Sequence, residues 1–132
     1  MKLNQKTDYA LRILLYAATE APRLVTAKEV AESYNITQAN ANQIVNVMKH
    51  KGYLVVQRGR YGGGFGLAKE PNEIHIGDLV RDMEPDMDLV QCFNLEKNTC
   101  PGIGTCKITG LMMEGLEAFI TQMNTKTLAD ML

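Results

Sequence analysis

Long apolar runs are missing from this sequence of 132 residues. The longest uninterrupted stretch, Ile13 to Ala18, has six residues, whereas a membrane-spanning helix needs roughly 20. The amino terminus also lacks the apolar segment of a secretory signal. We therefore expect no membrane partner and a cytoplasmic location, in which cysteines stay reduced.

Signatures of catalysis and of nucleotide binding are missing as well. The glycine-rich stretch RGRYGGGFGLAK, residues 58–69, gives no GxGxxG in any register, and no Gly-Lys-Ser/Thr follows it. No acid/base pair, second cofactor motif or substrate pocket can be identified in the sequence. These absences predict a protein that is not an enzyme.

Acidic residues are absent from residues 37–69, although this segment contains five basic residues. Residues 70–98 show the reverse, with eight acidic and two basic residues. The net charge of −1 alone argues against a nucleic-acid partner. The separation of basic from acidic residues along the chain favours a nucleic-acid partner after all, because contact with phosphates requires a local block of basic charge. We interpret the acidic block as solvated surface.

Cysteine is scarce: the chain has three, and all of them lie between Cys92 and Cys106. An odd number fits poorly with a disulfide framework. The spacing C-x7-C-x5-C lacks the C-x2-C pair of zinc ribbons, and no His lies nearby to complete a Cys3His site. The thiols share a polar loop with Pro101 and two glycines instead of a periodic apolar face, which favours a reactive or metal-binding role.

An iron–sulfur cluster suits such a loop, because cluster sulfurs accept hydrogen bonds from the backbone and glycines let the backbone approach closely. Three cysteines leave a four-iron or a two-iron cluster one ligand short, and the residues alone leave that ligand open. Bare thiols or zinc that respond to oxidants are the alternative.

Two capped helices predict a helix-turn-helix. Thr26 and Glu29 have the spacing of a capping box, and the helix they open breaks at Asn35, a residue that tolerates left-handed backbone. Thr37 is the N-cap candidate of the next helix, which Gly52 ends. An ordinary helical hairpin in a core is the alternative, and we favour a DNA-binding motif.

A β-hairpin with a basic tip is predicted directly after this motif. A strand over residues 53–58 leads through the glycine-rich turn to a return strand at about 65–68. In this position the hairpin would be a wing. Arg58 and Arg60 would then reach the DNA backbone or the minor groove.

The fold class expected is mainly α with a small β-hairpin. A winged helix-turn-helix DNA-binding domain would cover residues 1–83, including a first helix over about 4–19 and a short one over 76–83. A loop over 84–106 would hold the cysteines. Residues 107–132 would form a long dimerisation helix and a short terminal helix.

The long helix carries an apolar stripe at helical spacing. Its members are Ile108, Leu111, Met112, Gly115, Leu116, Phe119, Ile120 and Met123. The stripe predicts pairing with a second copy and hence a two-fold homodimer. Packing of the stripe against its own domain is the alternative.

Six segments together resemble one family of bacterial regulators. They are the opening TDYALR, the helix-turn-helix ending in KHKGY, the wing RGRYGGGFGLAK, the helix IGDLVRDMEP, the three-cysteine loop and the closing TLADML. With them the chain resembles, over nearly its whole length, the winged-helix iron–sulfur regulators of the IscR/NsrR family. The IscR type has His three residues after the last cysteine, where this chain has Thr109, and the other segments look more like the NsrR type.

This resemblance implies a transcriptional repressor whose cluster senses nitric oxide, with cluster nitrosylation releasing operator DNA. It implies a 4Fe–4S cluster, with 2Fe–2S possible, held by Cys92, Cys100 and Cys106. It also implies an oxygen ligand from Asp8 of the other subunit, with Arg12 beside it. Without the resemblance, Asp8 is a helix-start carboxylate paired with Arg12. A thiol- or zinc-based regulator of the same fold and, last, an iron–sulfur electron carrier are the alternatives.

Residues that would contact double-stranded DNA follow from the motif. The candidates at the amino-terminal half of the recognition helix are Thr37, Gln38, Asn40, Asn42 and Gln43. The last four carry amide side chains, which can pair bidentately with adenine. The candidates for phosphate and minor-groove contact are Lys49, Lys51, Arg58, Arg60, Tyr61, Gly62 and Gly63. A two-fold dimer predicts a palindromic operator with half-sites about 34 Å apart, or a multiple of that.

Overall fold

The computed structural model describes residues 1–59 and 62–132. Its elements in chain order are α1 (Gln5–Glu20), α2 (Ala27–Tyr34), α3 (Gln38–His50), β1 (Leu54–Gln57), β2 (Gly64–Leu67), α4 (Ile76–Met83) and α5 (Lys107–Asn124). Short 3-10 turns occur at Pro71–Glu73, Gln91–Phe93 and Leu128–Met131. The predicted fold class, mainly α with a small β-hairpin, is confirmed. No helix in the described ranges is long and apolar enough to cross a membrane.

Helix α1 forms the centre of the core. It begins after Asn4, whose side-chain oxygen accepts the backbone N–H of Lys6 at 2.9 Å, as an N-cap does. Its inner face buries Ala10, Ile13 and Leu14 completely, in contact with α3, β2 and α4. Helix α3 and the second strand of the hairpin are therefore packed against one central helix.

Helices α2 and α3 form the helix-turn-helix, and the capping and turn residues that predicted it are in the expected conformations. The capping box is present, with Thr26 and Glu29 exchanging hydrogen bonds of 3.2 and 3.1 Å. Asn35 adopts the left-handed conformation, with φ 53° and ψ 47°. Thr37 caps α3 by accepting the backbone N–H of Asn40 at 3.1 Å. These local hydrogen bonds fix the turn between the two helices.

The wing is an antiparallel hairpin tied to the segment before α2. β1 pairs with β2 in the register Leu54 to Leu67. Phe65, buried in the core, also exchanges backbone hydrogen bonds of 2.9 and 2.8 Å with Val25. A Cβ at Gly64 would lie 2.6 Å from the Val25 carbonyl oxygen, so this contact requires glycine. The base of the wing therefore moves with the helix-turn-helix.

Helix α4 lies between the wing and α5. The Tyr53 hydroxyl, at the start of the wing, donates a short hydrogen bond to Asp82 of α4, and the Lys69 ammonium lies 4.9 Å from the centre of the Tyr53 ring. Burial and the Asp82 carboxylate raise the pKa of Tyr53 well above its ordinary value, so the phenol stays protonated as the donor.

The other side of α4 crosses α5 at very close range, which we term the α4–α5 crossing. Asn124 accepts the Asp78 backbone N–H at 2.8 Å and donates to the Asp78 carboxylate at 3.0 Å. Gly77 has no side chain at this point, where a Cβ would lie 2.6 Å from the Ile120 carbonyl oxygen. Arg81 of α4 and Glu117 of α5 add an exposed ion pair at 3.1 Å.

The chain after α5 returns to the core. Leu128 is buried among the core residues, and its backbone N–H donates to Ile74 at 2.8 Å. Residue Ile120 of the apolar stripe is only 3% exposed, so the expectation that the whole stripe faces a second copy is wrong for this residue. The predicted terminal helix is a 3-10 turn. The carboxyl end of α5 is thus anchored to its own chain.

The α4–α5 crossing predicts that Gly77→Ala will lower the free energy of unfolding by about 1–3 kcal/mol, the usual cost of overpacking. Urea denaturation followed by circular dichroism measures this change. Gly110→Ala on α5 is the matched control, because a Cβ there meets nothing within 4 Å, and it should be neutral or stabilising by up to about 1 kcal/mol. Equal stability of the two variants would show that the crossing tolerates a side chain.

Candidate nucleic-acid interface and cysteine site

Helix α3 presents the predicted base-reading residues to solvent. Gln38, Asn40, Asn42 and Gln43 are all exposed, whereas the opposite face buries Ala41, Ile44, Val45 and Met48. The Thr37 hydroxyl accepts the N-cap hydrogen bond and can still donate its own O–H to another group. The structure thus leaves all four amide side chains exposed in the first two turns of α3.

Three of the predicted basic contact residues are exposed. Lys49 lies in the last turn of α3, Lys51 is its C-cap residue, and both are exposed, as is Arg58 after β1. Gly62 has φ 136°, which favours glycine. The two remaining predicted wing residues, Arg60 and Tyr61, lie outside the described residues.

A second glycine shapes the described part of the wing turn. A Cβ at Gly63 would lie 3.0 Å from the Gln57 carbonyl oxygen and 3.1 Å from the Gly59 nitrogen. A side chain there would therefore push the turn open. Glycine at 63 therefore lets the ends of the two strands approach each other closely where the turn begins.

The cysteine loop holds its three thiols at different depths. Cys92 lies in the turn Gln91–Phe93 and is half-buried, whereas Cys100 and Cys106 are exposed, and all three are free. A Cβ at Gly102 would lie 3.7 Å from the Cys100 sulfur and 3.5 Å from the Cys106 Cβ. Asn98 fixes the Cys100 backbone through two hydrogen bonds of 3.1 Å. Glycine at 102 therefore leaves room between the last two cysteines.

Cys106 stands at the amino end of α5, as its N-cap residue. The backbone N–H groups of Thr109 and Ile108, followed by the Thr109 hydroxyl, lower the pKa of the Cys106 thiol. Neither N–H makes a capping hydrogen bond of ordinary geometry, so the effect is that of free donors facing a developing negative charge. The helix start therefore favours a thiolate, the form that reacts and binds metals.

Thr109 also contacts Cys92, an interaction that the sequence analysis missed. Its Oγ1 lies 3.2 Å from the Cys92 sulfur, across 17 positions of sequence. The signal was present, because Thr109 is the third residue of α5, from which a side chain can reach back past the helix start. One threonine therefore lies beside two of the three cysteines.

Asp8 occupies the first turn of α1. Both of its carboxylate oxygens accept hydrogen bonds from Arg12, at 2.8 and 3.1 Å, which confirms the predicted pair. The side chain is 46% exposed. Each carboxylate oxygen keeps a second lone pair, so a ligand role for Asp8 is compatible with its pairing to Arg12.

The candidate ligands are of the chemical types that bind an iron–sulfur cluster, but they do not converge on one point in the single chain. Thiols beside backbone and hydroxyl donors are what cluster sulfurs require. Yet no group of three or more His, Cys, Asp or Glu side chains converges on a metal position among residues 1–59 and 62–132. One chain alone therefore offers the ligands without assembling them.

Sequence comparisons match this chain to transcriptional regulators along nearly its full length. A sequence profile of the Rrf2 family, described as an iron-dependent transcriptional regulator, matches residues 3–132. The HTH-type transcriptional regulator NsrR of Shouchella clausii is 37% identical over 132 residues, which cover 99% of this chain and 88% of that protein. The protein of the same name from Bacillus subtilis is 36% identical over 132 residues, covering 99% and 90%.

Solved structures share the fold. The global cysteine regulator CymR of B. subtilis superimposes with a TM-score of 0.80 and 23% identity, covering 99% of this chain and 95% of that one. The T. potens IscR gives a TM-score of 0.79 and 22% identity, covering 99% and 85%. Together with the observed elements, this likeness confirms the predicted winged helix-turn-helix architecture.

The position of Cys106 predicts a reactive thiol in the metal-free protein. Because the helix start lowers the pKa of this thiol, its alkylation should accelerate at lower pH in the folded chain than in the same chain unfolded in urea. Mass spectrometry of the Cys106 peptide after timed iodoacetamide treatment measures both pH profiles. Coincident profiles would mean that α5 does not stabilise the thiolate.

Proposed function

Since the chain belongs to the Rrf2 family of iron-dependent transcriptional regulators, we propose that it is a dimeric DNA-binding repressor whose iron–sulfur cluster senses nitric oxide, cluster nitrosylation releasing operator DNA. One observation carries the proposal: all three cysteines lie in the loop that joins the DNA-reading elements to α5. A change at the cysteines would then reach the wing through α5, α4 and the hydrogen bond between Asp82 and Tyr53. The similarity to proteins named NsrR supports the same function.

The reading surface supports sequence-specific binding to a palindromic operator. Amide side chains at the start of α3 would contact base edges in the major groove, and Lys49, Lys51 and Arg58 would contact phosphates. The segment is free of acidic residues from 37 to 69, so nothing in it repels the DNA backbone. Sequence would then be read by α3 and affinity supplied mainly by the basic residues.

The amino-terminal half of α5 supports a dimer. Ile108 and Leu111 are 60% and 63% exposed, and in the preceding loop Leu95 and Ile103 are 75% and 40% exposed. A cluster of exposed apolar side chains is typical of a protein–protein interface. A second copy docked there would place its own residues beside the cysteine loop.

The cluster would take Cys92, Cys100 and Cys106 from one subunit and Asp8 from the other, with 4Fe–4S as the favoured form. When bound, the cluster supplies iron that reacts with nitric oxide. The role of this chain is to hold the thiols beside α5 and to present a carboxylate that Arg12 keeps oriented. A ligand from each subunit would make integrity of the site depend on the geometry of the dimer.

A second candidate function is a regulator that senses oxidants through bare thiols or zinc. The exposure and lowered pKa of Cys106 favour it, because such thiols oxidise readily. This candidate keeps the DNA-binding surface and changes only the chemistry of the loop. Iron content separates it from the cluster-based proposal.

Anaerobic purification followed by nitric oxide tests the proposal. We expect stoichiometric iron and sulfide, visible absorption that changes on addition of nitric oxide, and weaker operator binding in the same sample. Cys92→Ala, expressed in parallel, should fold but contain no cluster. A colourless wild-type protein without iron, or a cluster whose loss leaves operator affinity unchanged, would contradict the proposal.

The reading surface yields a prediction that separates base contacts from phosphate contacts. Asn42→Ala should weaken binding to an operator fragment selected from a random pool by about 1–3 kcal/mol and relax its sequence preference. Lys49→Ala should weaken binding to all DNA and reduce the salt dependence, the slope of log K against log salt, by about 1. Anisotropy titrations at several salt concentrations measure both effects.

The matched control for charge is Lys126→Ala, which removes an exposed cation outside the basic block and should change neither quantity. If Asn42→Ala weakened selected and random DNA equally, α3 would not read bases through this residue.

Mixed dimers test whether Asp8 acts across the subunit boundary. In a dimer of one Asp8→Ala subunit and one Cys92→Ala subunit, a ligand that crosses over completes one of the two sites. A ligand from the same subunit completes neither. We therefore expect about half the wild-type iron in purified mixed dimers and almost none in either variant alone. Iron-free mixed dimers would exclude ligation by Asp8 of the other subunit.

A further inference from the structure

The hydroxyl group of Thr109 contacts a cysteine that is distant in sequence. It lies 3.2 Å from the Cys92 sulfur, and Thr109 follows Cys106, the cap residue of α5, by three positions. Thr109 lies in the first turn of α5, and its half-buried side chain faces the turn that carries Cys92. Its side chain therefore stands where the cysteine loop closes back on the helix.

The location of Thr109 explains how its side chain meets Cys92 close to Cys106. As the third residue of α5 it follows the cap residue Cys106 by three positions, the spacing at which side chains turn back toward the cap. A hydroxyl is both donor and acceptor, so it can donate to a thiolate or to a metal-bound sulfur. Valine has the same shape without the hydroxyl, and serine keeps the hydroxyl without the methyl group.

We propose that Thr109 is a positioning residue that holds the Cys92 sulfur against the amino end of α5, beside Cys106, through its hydroxyl. In the metal-free chain this contact keeps Cys92 and Cys106 close enough to react with each other. With a cluster bound, a part that rests on the proposed function, the same hydroxyl donates a hydrogen bond to the Cys92 sulfur. A donor there stabilises added negative charge, which raises the reduction potential of a cluster.

The first experiment uses the metal-free protein and does not depend on a cluster. In a Cys100→Ser background, diamide takes two electrons and two protons from Cys92 and Cys106 as their disulfide forms, and mass spectrometry follows the rate. Thr109→Val should slow disulfide formation about threefold to tenfold, the loss expected for one hydrogen bond. Thr109→Ser should restore most of the wild-type rate.

The second experiment measures the midpoint reduction potential of the cluster-loaded protein. Thr109→Val should lower the potential, by about 59 mV if the one-electron equilibrium changes tenfold, and Thr109→Ser should stay near the wild type. Thr121→Val, an exposed threonine on the same helix, is the matched control and should leave the potential and the disulfide rate unchanged.

The two experiments test different parts of the proposal, so each can contradict its own part. A wild-type disulfide rate in Thr109→Val would overturn the positioning role, whether or not a cluster forms. A slowed rate in a protein that never binds iron would support the positioning role and reject the cluster. A slowed rate with an unchanged potential would overturn the hydrogen bond to the cluster-bound sulfur.

Discussion

The α4–α5 crossing is the constraint on which the rest of the structure depends. It exists because Gly77 lacks a side chain and because the Asn124 amide both accepts from and donates to Asp78. Through it α5 is fixed to α4, and α4 is fixed to the base of the wing by the hydrogen bond between Tyr53 and Asp82. Under the proposed function, a reorientation of α5 would act on the helix-turn-helix and the wing through this crossing.

The two ends of α5 have different surroundings. The carboxyl end is anchored by Ile120 and by the return of Leu128 to the core, whereas the amino end carries Ile108 and Leu111 in the open. The cysteine loop ends at this free end. Under the proposed function, loss of the cluster would release the amino end of α5, while the carboxyl end of α5 stays packed against the DNA-binding domain.

Local signals were predictable from the sequence, and long-range contacts were not. Thr26, Asn35 and Thr37 were identified because caps and left-handed turns depend on neighbouring residues. The burial of Ile120 was not foreseen, since periodicity shows that a face is apolar without showing what covers it. The contact of Thr109 with the cysteine loop was missed for the same reason. For the site, the number and surroundings of the thiols indicated the kind of chemistry that we propose, but they could not indicate that the described chain leaves the candidate ligands apart.

The most direct test of the account compares the wild type with Asn124→Ala, which breaks the crossing but leaves the cysteines and α3 intact. Operator Kd is measured for each cluster-loaded protein before and after nitric oxide. The account predicts a large increase of Kd in the wild type and a much smaller one in Asn124→Ala, although both lose their clusters. The same fold-change in both proteins would contradict transmission through the crossing.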